Sequence, residues 1–315
     1  KSAISCFRME LLVMKYNAYN LRNNGYRYLR GDSAYVDKAE SYFSNGILVP
    51  SGMAAISLLL QYLNPASIWY PYDIYQGTYE LIDLLGIPFN DKNPDVVIYD
   101  NPSFAGNDDS QIPLFNNNPV VIVDNSVMPD FVHEGQNWDY IVTSLSKYHT
   151  DCKTVLGLIT VSDSCLDKME KLRELRWKSG YVIFKKQCNI LGKYYGRESA
   201  KKTFDIKLNG LNEKAKEICW LLAHHYGIKS VVSGSLVFVM ILDDMDAESV
   251  ARATPFELRP TYGAEKTFCS YSYCNDNYRY FGNDNFLGKF IRISVGTDMD
   301  EMMIANCIAK AMGIS

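Results

Sequence analysis

A lysine follows two serines at the end of an apolar stretch, in the segment "YIVTSLSKY" that runs from residue 140 to residue 148. A lysine is seldom fully buried unless another group pairs with it. In one interpretation the segment is a strand edge, and Lys147 extends its ammonium into water. In the other, Lys147 forms a Schiff base with a carbonyl compound. Ser144 and Ser146 then point the same way from an extended chain, and both hydroxyls can donate to a phosphate.

Two further segments place polar groups after apolar runs. Asp124 closes "VVIVD", where a carboxylate must be either paired or exposed. It is a turn residue in one interpretation, and in the other it keeps a pyridine nitrogen protonated, which stabilises a carbanion. Ser51, Gly52 and Met53 connect a short apolar run to an apolar, helix-like segment. Free amides at a helix start favour an anion such as phosphate, although a glycine is also common in simple turns.

The surrounding pattern predicts a sheet that brings these groups together. Runs of β-branched residues, several without alternation, predict strands buried on both faces, at 46–49, 67–73, 95–102, 119–126, 139–147 and 155–162. Helix-like segments alternate with these strands, which indicates a doubly wound α/β domain. Because ligands bind at the carboxyl ends of the strands in such a sheet, we expect Ser51, Asp124 and Lys147 in one site.

The second part of the chain has a different pattern. From 164 to about 227 the residues are mostly typical of helices. Strand-like segments follow at 230–242 and 290–296, and a helix is predicted over 300–313. This order predicts a smaller α+β domain toward the carboxyl end.

Composition argues against several classes of function. The 315 residues are 47% hydrophobic and 22% charged, with a net charge of −4, which is typical of a globular protein without a nucleic-acid surface. No apolar run reaches the length of a membrane span, and no signal peptide is recognisable. Eight cysteines without a C-x-x-C pair predict reduced thiols and a cytoplasmic location. The four histidines show no metal-binding spacing, and neither glycine-rich nucleotide motif is present.

Taken in order, these motifs resemble the pyridoxal-phosphate enzymes of cysteine and methionine metabolism, the family that contains cystathionine γ-synthase, cystathionine lyases and methionine γ-lyase. The resemblance extends from about residue 26 to residue 312. It implies a fold-type-I α/β enzyme with a large, doubly wound, mainly parallel sheet domain and a small carboxyl-terminal α+β domain. The resemblance divides the chain into four parts. These are an arm that reaches a neighbouring subunit (1–45), the large domain (46–178), a connecting helical segment (179–229) and the small domain (230–315).

The resemblance also implies a cofactor, pyridoxal 5'-phosphate, bound covalently to Lys147 of "SLSKY". The segment "DIYQGTYEL" resembles the family motif that places Tyr75 on the cofactor ring. In "VDNS", Asp124 takes the position that contacts the pyridine nitrogen. The implied catalytic residues are therefore Lys147, Tyr75 and Asp124. The phosphate is implied to bind the residues of "SGMAAI" and of the strand end, namely Ser51, Gly52, Met53, Ser144 and Ser146.

Two other motifs carry implied roles. In "IRISVGTDMDEMM", Arg292 is implied to bind the α-carboxylate of an amino-acid substrate through a bidentate contact. In "YLR", Tyr28 and Arg30 resemble residues that reach the phosphate of a neighbouring subunit. The resemblance therefore implies a homodimer with shared sites, or a homotetramer built from such dimers.

The sequence departs from the family pattern where the substrate is expected to bind. The family places an asparagine on the phenolic oxygen of the cofactor, but here the matching position is Phe104, and Asn101 and Asn107 are the nearby alternatives. The loop after the lysine is one residue shorter and lacks the family's Gly-His pair. A substrate-contacting segment is replaced by "TYGAEKTFCSYSY" at 261–273. These departures predict a divergent and shortened member.

The implied reaction is β- or γ-elimination or replacement of a sulfur- or oxygen-linked side chain, as in lyases and transferases of trans-sulfuration. Lys147 removes the α-proton in this scheme. Two alternatives stay open, namely another pyridoxal-phosphate reaction such as transamination or racemisation, and a catalytically silent cofactor-binding partner protein. His149, two residues beyond Lys147, is a further candidate for contact with substrate.

Overall fold

The computed structural model describes residues 34–71, 74–101, 112–129, 137–196, 198–242, 245–259, 261–271 and 290–314, with the side chains at 198–201 excepted. The helices in these ranges are α1 (Ala34–Glu40), α2 (Gly52–Leu63), α3 (Gln76–Leu85), α4 (Met169–Lys178), α5 (Lys185–Tyr195), α6 (Glu198–Tyr226), α7 (Ala247–Ala253) and α8 (Glu301–Ala311). Short 3₁₀ turns cover Tyr148–Thr150 and Asp163–Lys168. The strands are β1 (Gly46–Val49), β2 (Ile68–Trp69), β3 (Val96–Asp100), β4 (Val120–Asp124), β5 (Tyr140–Ser144), β6 (Gly157–Val161), β7 (Ser230–Ser233), β8 (Leu236–Met240), β9 (Glu257–Leu258), β10 (Phe268–Tyr271) and β11 (Phe290–Ser294).

The larger sheet has six strands in the order β1-β6-β5-β4-β3-β2. The strands β2 to β5 run parallel, whereas β6 is antiparallel to both β5 and β1. Helices cover both faces, because alternate residues of one strand enter different hydrophobic clusters: Ile47 packs with the α2 side chains, and Leu48 packs with those of α1 and α5. The predicted doubly wound, mainly parallel α/β fold is confirmed.

The reversed direction of β6 has a consequence for the site. Because β6 is antiparallel to its neighbours, it begins at the edge of the sheet where β1 and β5 end. Gly157, its first residue, is paired with Val49 at the end of β1 and with Ser144 at the end of β5.

Five of the six strands predicted for this sheet are shorter than expected, and for two of them the cause is visible. The strand predicted over 67–73 is reduced to Ile68–Trp69, since Pro71 has no amide hydrogen to donate to a neighbour. The strand predicted over 139–147 ends at Ser144, where the chain turns and Lys147 N donates to Ser144 O at 3.5 Å. The prediction that Ser144 and Ser146 lie on one extended segment is therefore wrong, because Ser146 belongs to the turn.

A second sheet has five strands in the order β7-β8-β11-β10-β9. The strands β7 and β8 form a hairpin whose turn contains Gly234 at φ 56°, a conformation that favours glycine. The predicted helical stretch between the two sheets is present as α4, α5 and α6, and the predicted final helix is α8. One continuous hydrophobic cluster contains side chains of both sheets, such as Ile122 and Ile291.

No helix in the described ranges is both long enough and apolar enough to cross a membrane.

A buried ion pair lies at the outer edge of the larger sheet. Glu40, at the end of α1, accepts a hydrogen bond from the Leu48 amide at 2.9 Å, and Arg176 of α4 donates to the Leu48 carbonyl at 2.6 Å. Glu40 and Arg176 also pair directly, with side chains 6% and 0% exposed. Because β1 is an edge strand, these two side chains satisfy backbone groups that a further strand would otherwise bind.

The ion pair predicts a large effect on stability. Glu40→Ala removes one partner and leaves the Arg176 charge buried, so we expect the free energy of unfolding to fall by about 3–5 kcal/mol. Glu174→Ala is the matched control, since Glu174 pairs with Lys178 on the same helix but both side chains are more than half exposed. The control variant should change stability by no more than about 0.5 kcal/mol. Denaturant unfolding measures both values, and equal effects would contradict the interpretation.

Candidate active site

The amino end of α2 lies at the carboxyl edge of the larger sheet. Ser51 is the N-cap, and its hydroxyl accepts from the Ala54 amide at 3.0 Å. The next two amides, those of Gly52 and Met53, have no acceptor within the helix, as is true of the first turn of any α-helix. Together with the helix dipole, these amides can bind an anionic group.

Two glycines allow α2 to begin at this place. A Cβ atom at Gly157 would lie 2.2 Å from the Ser51 carbonyl oxygen and 2.7 Å from the Gly52 amide nitrogen. A Cβ atom at Gly52 would lie 3.2 Å from the Cβ of Ser144. The chain that leaves β1 therefore passes directly over the first residue of β6 and contacts the end of β5. Sequence analysis did not identify Gly157, although a glycine among the apolar residues of "VLGLITV" is a signal for a close backbone approach.

Asp124 lies at the end of β4, next to the end of β5. Its Oδ1 accepts from the Ser126 amide at 2.9 Å, and the Ser126 hydroxyl accepts from the Ser144 amide at 2.7 Å. Burial raises the pKa of Asp124, whereas the hydrogen bonds from Ser126 and the positive charge of Lys147 act in the opposite direction. The carboxylate is thus fixed in orientation by Ser126 and lies within the electrostatic range of the lysine.

Lys147 lies in the turn after β5, and its Nζ is 4.7 Å from the ring centroid of Tyr262. Burial lowers the pKa of Lys147, and the charge of Arg292 lowers it further, while Cys152 and Asp124 act to raise it. A lowered pKa increases the fraction of free amine at neutral pH, and the free amine is the nucleophilic form. The position of Lys147 therefore suits reaction with a carbonyl group.

The two serines near Lys147 differ in their surroundings. Ser144 lies beside Gly52, where its hydroxyl is close to the amino end of α2. Ser146 donates its hydroxyl proton to the Leu156 carbonyl at 3.0 Å and accepts from the Leu156 amide, also at 3.0 Å. Its only proton is thus used within the turn, and donation to a phosphate would require the bond to Leu156 to break.

Tyr75 and Arg292 approach the same edge from two other elements. The Tyr75 amide donates to the Asp100 carboxylate at 2.6 Å, which fixes the start of α3 at the end of β3. A Cβ atom at Gly77 would meet both the Tyr75 ring, at 2.8 Å, and the sulfur of Met53, at 3.2 Å, so the ring lies near α2. The Tyr75 side chain is 44% exposed, yet partial desolvation at this edge raises its pKa, and Arg292 of β11 opposes this effect.

Most of the predicted site residues lie close together, and the others fall outside the part of the chain that the structure describes. Seven lie at one edge of the larger sheet or are electrostatically coupled to it, namely Ser51, Gly52, Met53, Tyr75, Asp124, Ser144 and Lys147, and Arg292 is coupled to Tyr75 and Lys147. Tyr28, Arg30, Phe104 and Asn107 lie outside the described residues.

Asn101 follows β3, and its backbone amide donates to the Asp124 backbone carbonyl at 2.8 Å. The side chain is 0% exposed, and neither of its polar atoms has a hydrogen-bond partner in the part of the chain that the structure describes. A buried side-chain amide without a partner among the described residues is unusual, so both polar atoms of Asn101 keep unused hydrogen-bonding capacity.

The donor set at this edge fits pyridoxal phosphate. The α2 amides suit its phosphate, the Lys147 amine suits its aldehyde and the Asp124 carboxylate suits its ring nitrogen. The unpartnered Asn101 amide adds a polar group for a ring substituent. Among the described residues, no cluster of His, Cys, Asp and Glu side chains is arranged to hold a metal ion.

Tyr262 is a site residue that sequence analysis did not single out. It lies in the replaced segment 261–273, where nothing in the local pattern marks one tyrosine among many. His149, in contrast, is 2% exposed and lies among aromatic side chains: it hydrogen-bonds the Tyr195 hydroxyl and stacks on Phe204 with ring centroids 4.5 Å apart. The structure does not place His149 where substrate could contact it.

Comparison with solved structures identifies the class of fold. No family model matches the sequence, and no curated protein matches it. The structure has the fold-type-I architecture, the class to which solved pyridoxal-phosphate enzymes of cysteine and methionine metabolism belong.

Cystathionine γ-lyase from Lactobacillus plantarum, complexed with L-serine, is 16% identical, with a TM-score of 0.74 over 92% of this chain and 90% of that chain. Cystathionine γ-synthase from Xanthomonas oryzae pv. oryzae is 15% identical, with a TM-score of 0.69 over 92% and 88%. A putative O-acetylhomoserine (thiol)-lyase from Campylobacter jejuni is 18% identical, with a TM-score of 0.66 over 88% and 84%. At these identities the comparison establishes the fold.

The contact at Gly157 predicts a specific effect of a single methyl group. Gly157→Ala should displace the Ser51–Gly52 peptide, lower the free energy of unfolding by roughly 1–3 kcal/mol and weaken the binding of pyridoxal phosphate at least tenfold. Gly210→Ala is the control, because this glycine lies within α6 and a Cβ atom there meets nothing within 4 Å. The control should be more stable than the wild type by up to about 1 kcal/mol, with unchanged cofactor affinity. Unaltered affinity in Gly157→Ala would contradict this account.

The burial of His149 predicts that the stability of the protein depends on pH in the acid range. Burial lowers the pKa of His149 to about 3, so the unfolded chain, with a histidine pKa near 6.5, binds the proton first as the pH falls. The free energy of unfolding of the wild type should therefore decrease below pH ~6.5, by up to about 1.4 kcal/mol per pH unit from this residue. In His149→Phe this contribution should be missing. Urea unfolding at several pH values measures the difference, and parallel curves would rule the effect out.

Proposed function

We propose that this protein is a pyridoxal-phosphate enzyme that acts on an amino acid by β- or γ-elimination or replacement of a sulfur- or oxygen-linked side chain. The observation that carries the proposal is the position of Lys147 in the turn after β5, where the amine has a lowered pKa and interacts with the charges of Asp124 and Arg292. The structural neighbours support it, since one is described with N'-pyridoxyl-lysine-5'-monophosphate and another is a cystathionine γ-lyase bound to L-serine.

Each residue of the site has a task in this proposal. The amides of Gly52 and Met53, with the hydroxyl groups of Ser51 and Ser144, bind the phosphate. Lys147 is the point of covalent attachment, Asp124 holds a proton on the ring nitrogen and Tyr75 packs on the ring. When bound, the cofactor supplies an electron-withdrawing ring that stabilises negative charge on the α-carbon of an attached amino acid.

Lys147 and Arg292 act on the amino acid itself. Arg292 binds the α-carboxylate, which fixes the orientation of the α-hydrogen. The Lys147 amine then accepts the α-proton at Nζ and becomes an ammonium. Asp124 favours this charged form, while Arg292 and burial disfavour it. Because the pKa of Lys147 is lowered, the amine exists more often in the unprotonated form that can accept the α-proton.

Transamination and racemisation are the second candidate functions. Both also begin with removal of the α-proton, so Lys147, Asp124 and Arg292 support these reactions equally. The choice depends on groups that contact the substrate side chain, and the sequence departs from the family pattern in that region.

We also propose a homodimer in which Tyr28 and Arg30 of each chain reach the phosphate of the neighbouring site, with a tetramer as a further assembly. The cysteines that the structure describes are free thiols, and we propose a cytoplasmic location on this basis.

The proposal is tested by the absorption spectrum of the purified protein with pyridoxal phosphate. Wild-type protein should acquire a visible band, and borohydride should fix the cofactor on the peptide that contains Lys147. Lys147→Ala should abolish both signals. Lys153→Ala is the matched control, because Lys153 is six residues away and more than half exposed, with its amine bonded to the Tyr194 hydroxyl at 2.8 Å. A band that persists in Lys147→Ala would refute the assignment of this lysine.

The reaction is tested next with a panel of amino acids in heavy water. Loss of the α-proton signal in nuclear magnetic resonance, dependent on Lys147, should accompany release of a keto acid and ammonia for elimination. Amino transfer to an added keto acid would instead support a transaminase. A bound cofactor without α-proton exchange for any amino acid would support the silent partner protein and overturn the enzyme assignment.

A further inference from the structure

The Lys147 ammonium faces an aromatic ring. Its Nζ lies 4.7 Å from the centroid of the Tyr262 ring, within the distance at which a cation interacts with a ring face. Tyr262 is 7% exposed, so the contact is shielded from water. Within the described part of the chain, no carboxylate is close enough to Lys147 to form an ion pair. The ring face is therefore a direct contact of this amine, in addition to the longer-range charge interactions with Cys152 and Asp124.

Three contacts hold the ring in place. Tyr148 packs against Tyr262 with centroids 5.6 Å apart, and the Tyr148 hydroxyl is itself bonded to the Ser235 hydroxyl at 2.6 Å. The Cys152 thiol donates to the Tyr262 carbonyl at 3.3 Å. Gly263, at φ 81°, turns the chain so closely over Tyr148 that a Cβ atom would lie 2.6 Å from the Tyr148 amide nitrogen. The loop that follows Lys147 and the segment that carries Tyr262 are thus fixed to each other.

The ring is uncharged under ordinary conditions. Burial raises the pKa of Tyr262 well above its usual value of 10. The contact therefore joins an ammonium to a neutral ring face, and the attraction arises from the ring quadrupole.

We propose that Tyr262 is a positioning residue that holds the Lys147 ammonium against its ring face whenever this nitrogen is not covalently bonded. The inference rests on the proposed function, because the ring would act at two stages of it. The first is before the cofactor binds, and the second is after Lys147 has accepted the α-proton. At both stages the nitrogen is not covalently bonded, and its protonated form contacts the ring. The ring keeps it at the edge of the sheet.

Other charged groups face Lys147 and must be separated from the ring in any test. Arg292 of β11 disfavours the ammonium, Asp124 of β4 favours it, and Cys152 of the adjoining loop also favours it. A smaller residue at 262 would alter the burial of the amine at the same time as the ring contact. The decisive variants therefore keep the shape of the ring and change only its electron density.

The test measures the pKa of Lys147 in the cofactor-free protein by competitive labelling with an amine reagent and mass spectrometry. Tyr262→Phe should leave this pKa unchanged, since the hydroxyl is not part of the contact. Phenylalanines with one, two and five ring fluorines, introduced at the same position, should lower the pKa in steps, by roughly 0.5–1.5 units in the pentafluoro variant. Lys153, read from the same samples, is the internal control and should not shift.

The outcomes separate the two proposals. A pKa of Lys147 that does not respond to fluorination would overturn the role of Tyr262, even if the visible cofactor band is normal. A stepwise decrease would establish the contact, even if the wild type formed no Lys147-dependent band and the proposed function failed. Equal shifts of Lys147 and Lys153 would indicate a general disturbance and would also count against the role. Circular dichroism confirms that each variant is folded.

Discussion

The site depends on the place where the chain crosses from the end of β1 to the start of α2. This crossing passes over Gly157 at a distance that excludes any side chain, and it brings the amino end of α2 against Ser144. The crossing is possible because β6 runs against its neighbours and begins where they end. The helix amides, the Asp124 carboxylate and the Lys147 amine thereby meet at one edge. A single steric requirement thus determines where the free amides of α2 lie relative to Lys147.

Opposed effects act on the charges at this edge. Burial destabilises the charged forms of both Asp124 and Lys147, and the attraction between the two partly compensates. Arg292 adds a positive charge that disfavours the ammonium, whereas the neutral ring of Tyr262 favours it. Each of the two groups therefore favours the charged form of the other against the effect of burial.

Local signals were sufficient for much of the fold. Continuous β-branched runs marked the buried strands, and the polar residues that close β4 and β5 marked the edge where the site lies. Contacts between distant parts of the chain could not be predicted in this way. Gly157 contacts Ser51, and Lys147 contacts Tyr262, although each pair is separated by more than a hundred residues in sequence. Glu40 and Arg176 pair across 136 residues. The turn at Ser146 was missed for another reason, since its hydroxyl bonds replace the strand pairing that the apolar pattern suggested.

The ion pair of Glu40 and Arg176 also affects the tendency of the chain to aggregate at high protein concentration. An edge strand with free backbone groups is a template for pairing with other molecules. Here the outward amide and carbonyl of Leu48 are already bonded to side chains, so at this residue β1 offers no groups to a further strand. A chain that has lost this pair can therefore self-associate from a nearly native state. Its solution would then become turbid before its helix content decreases.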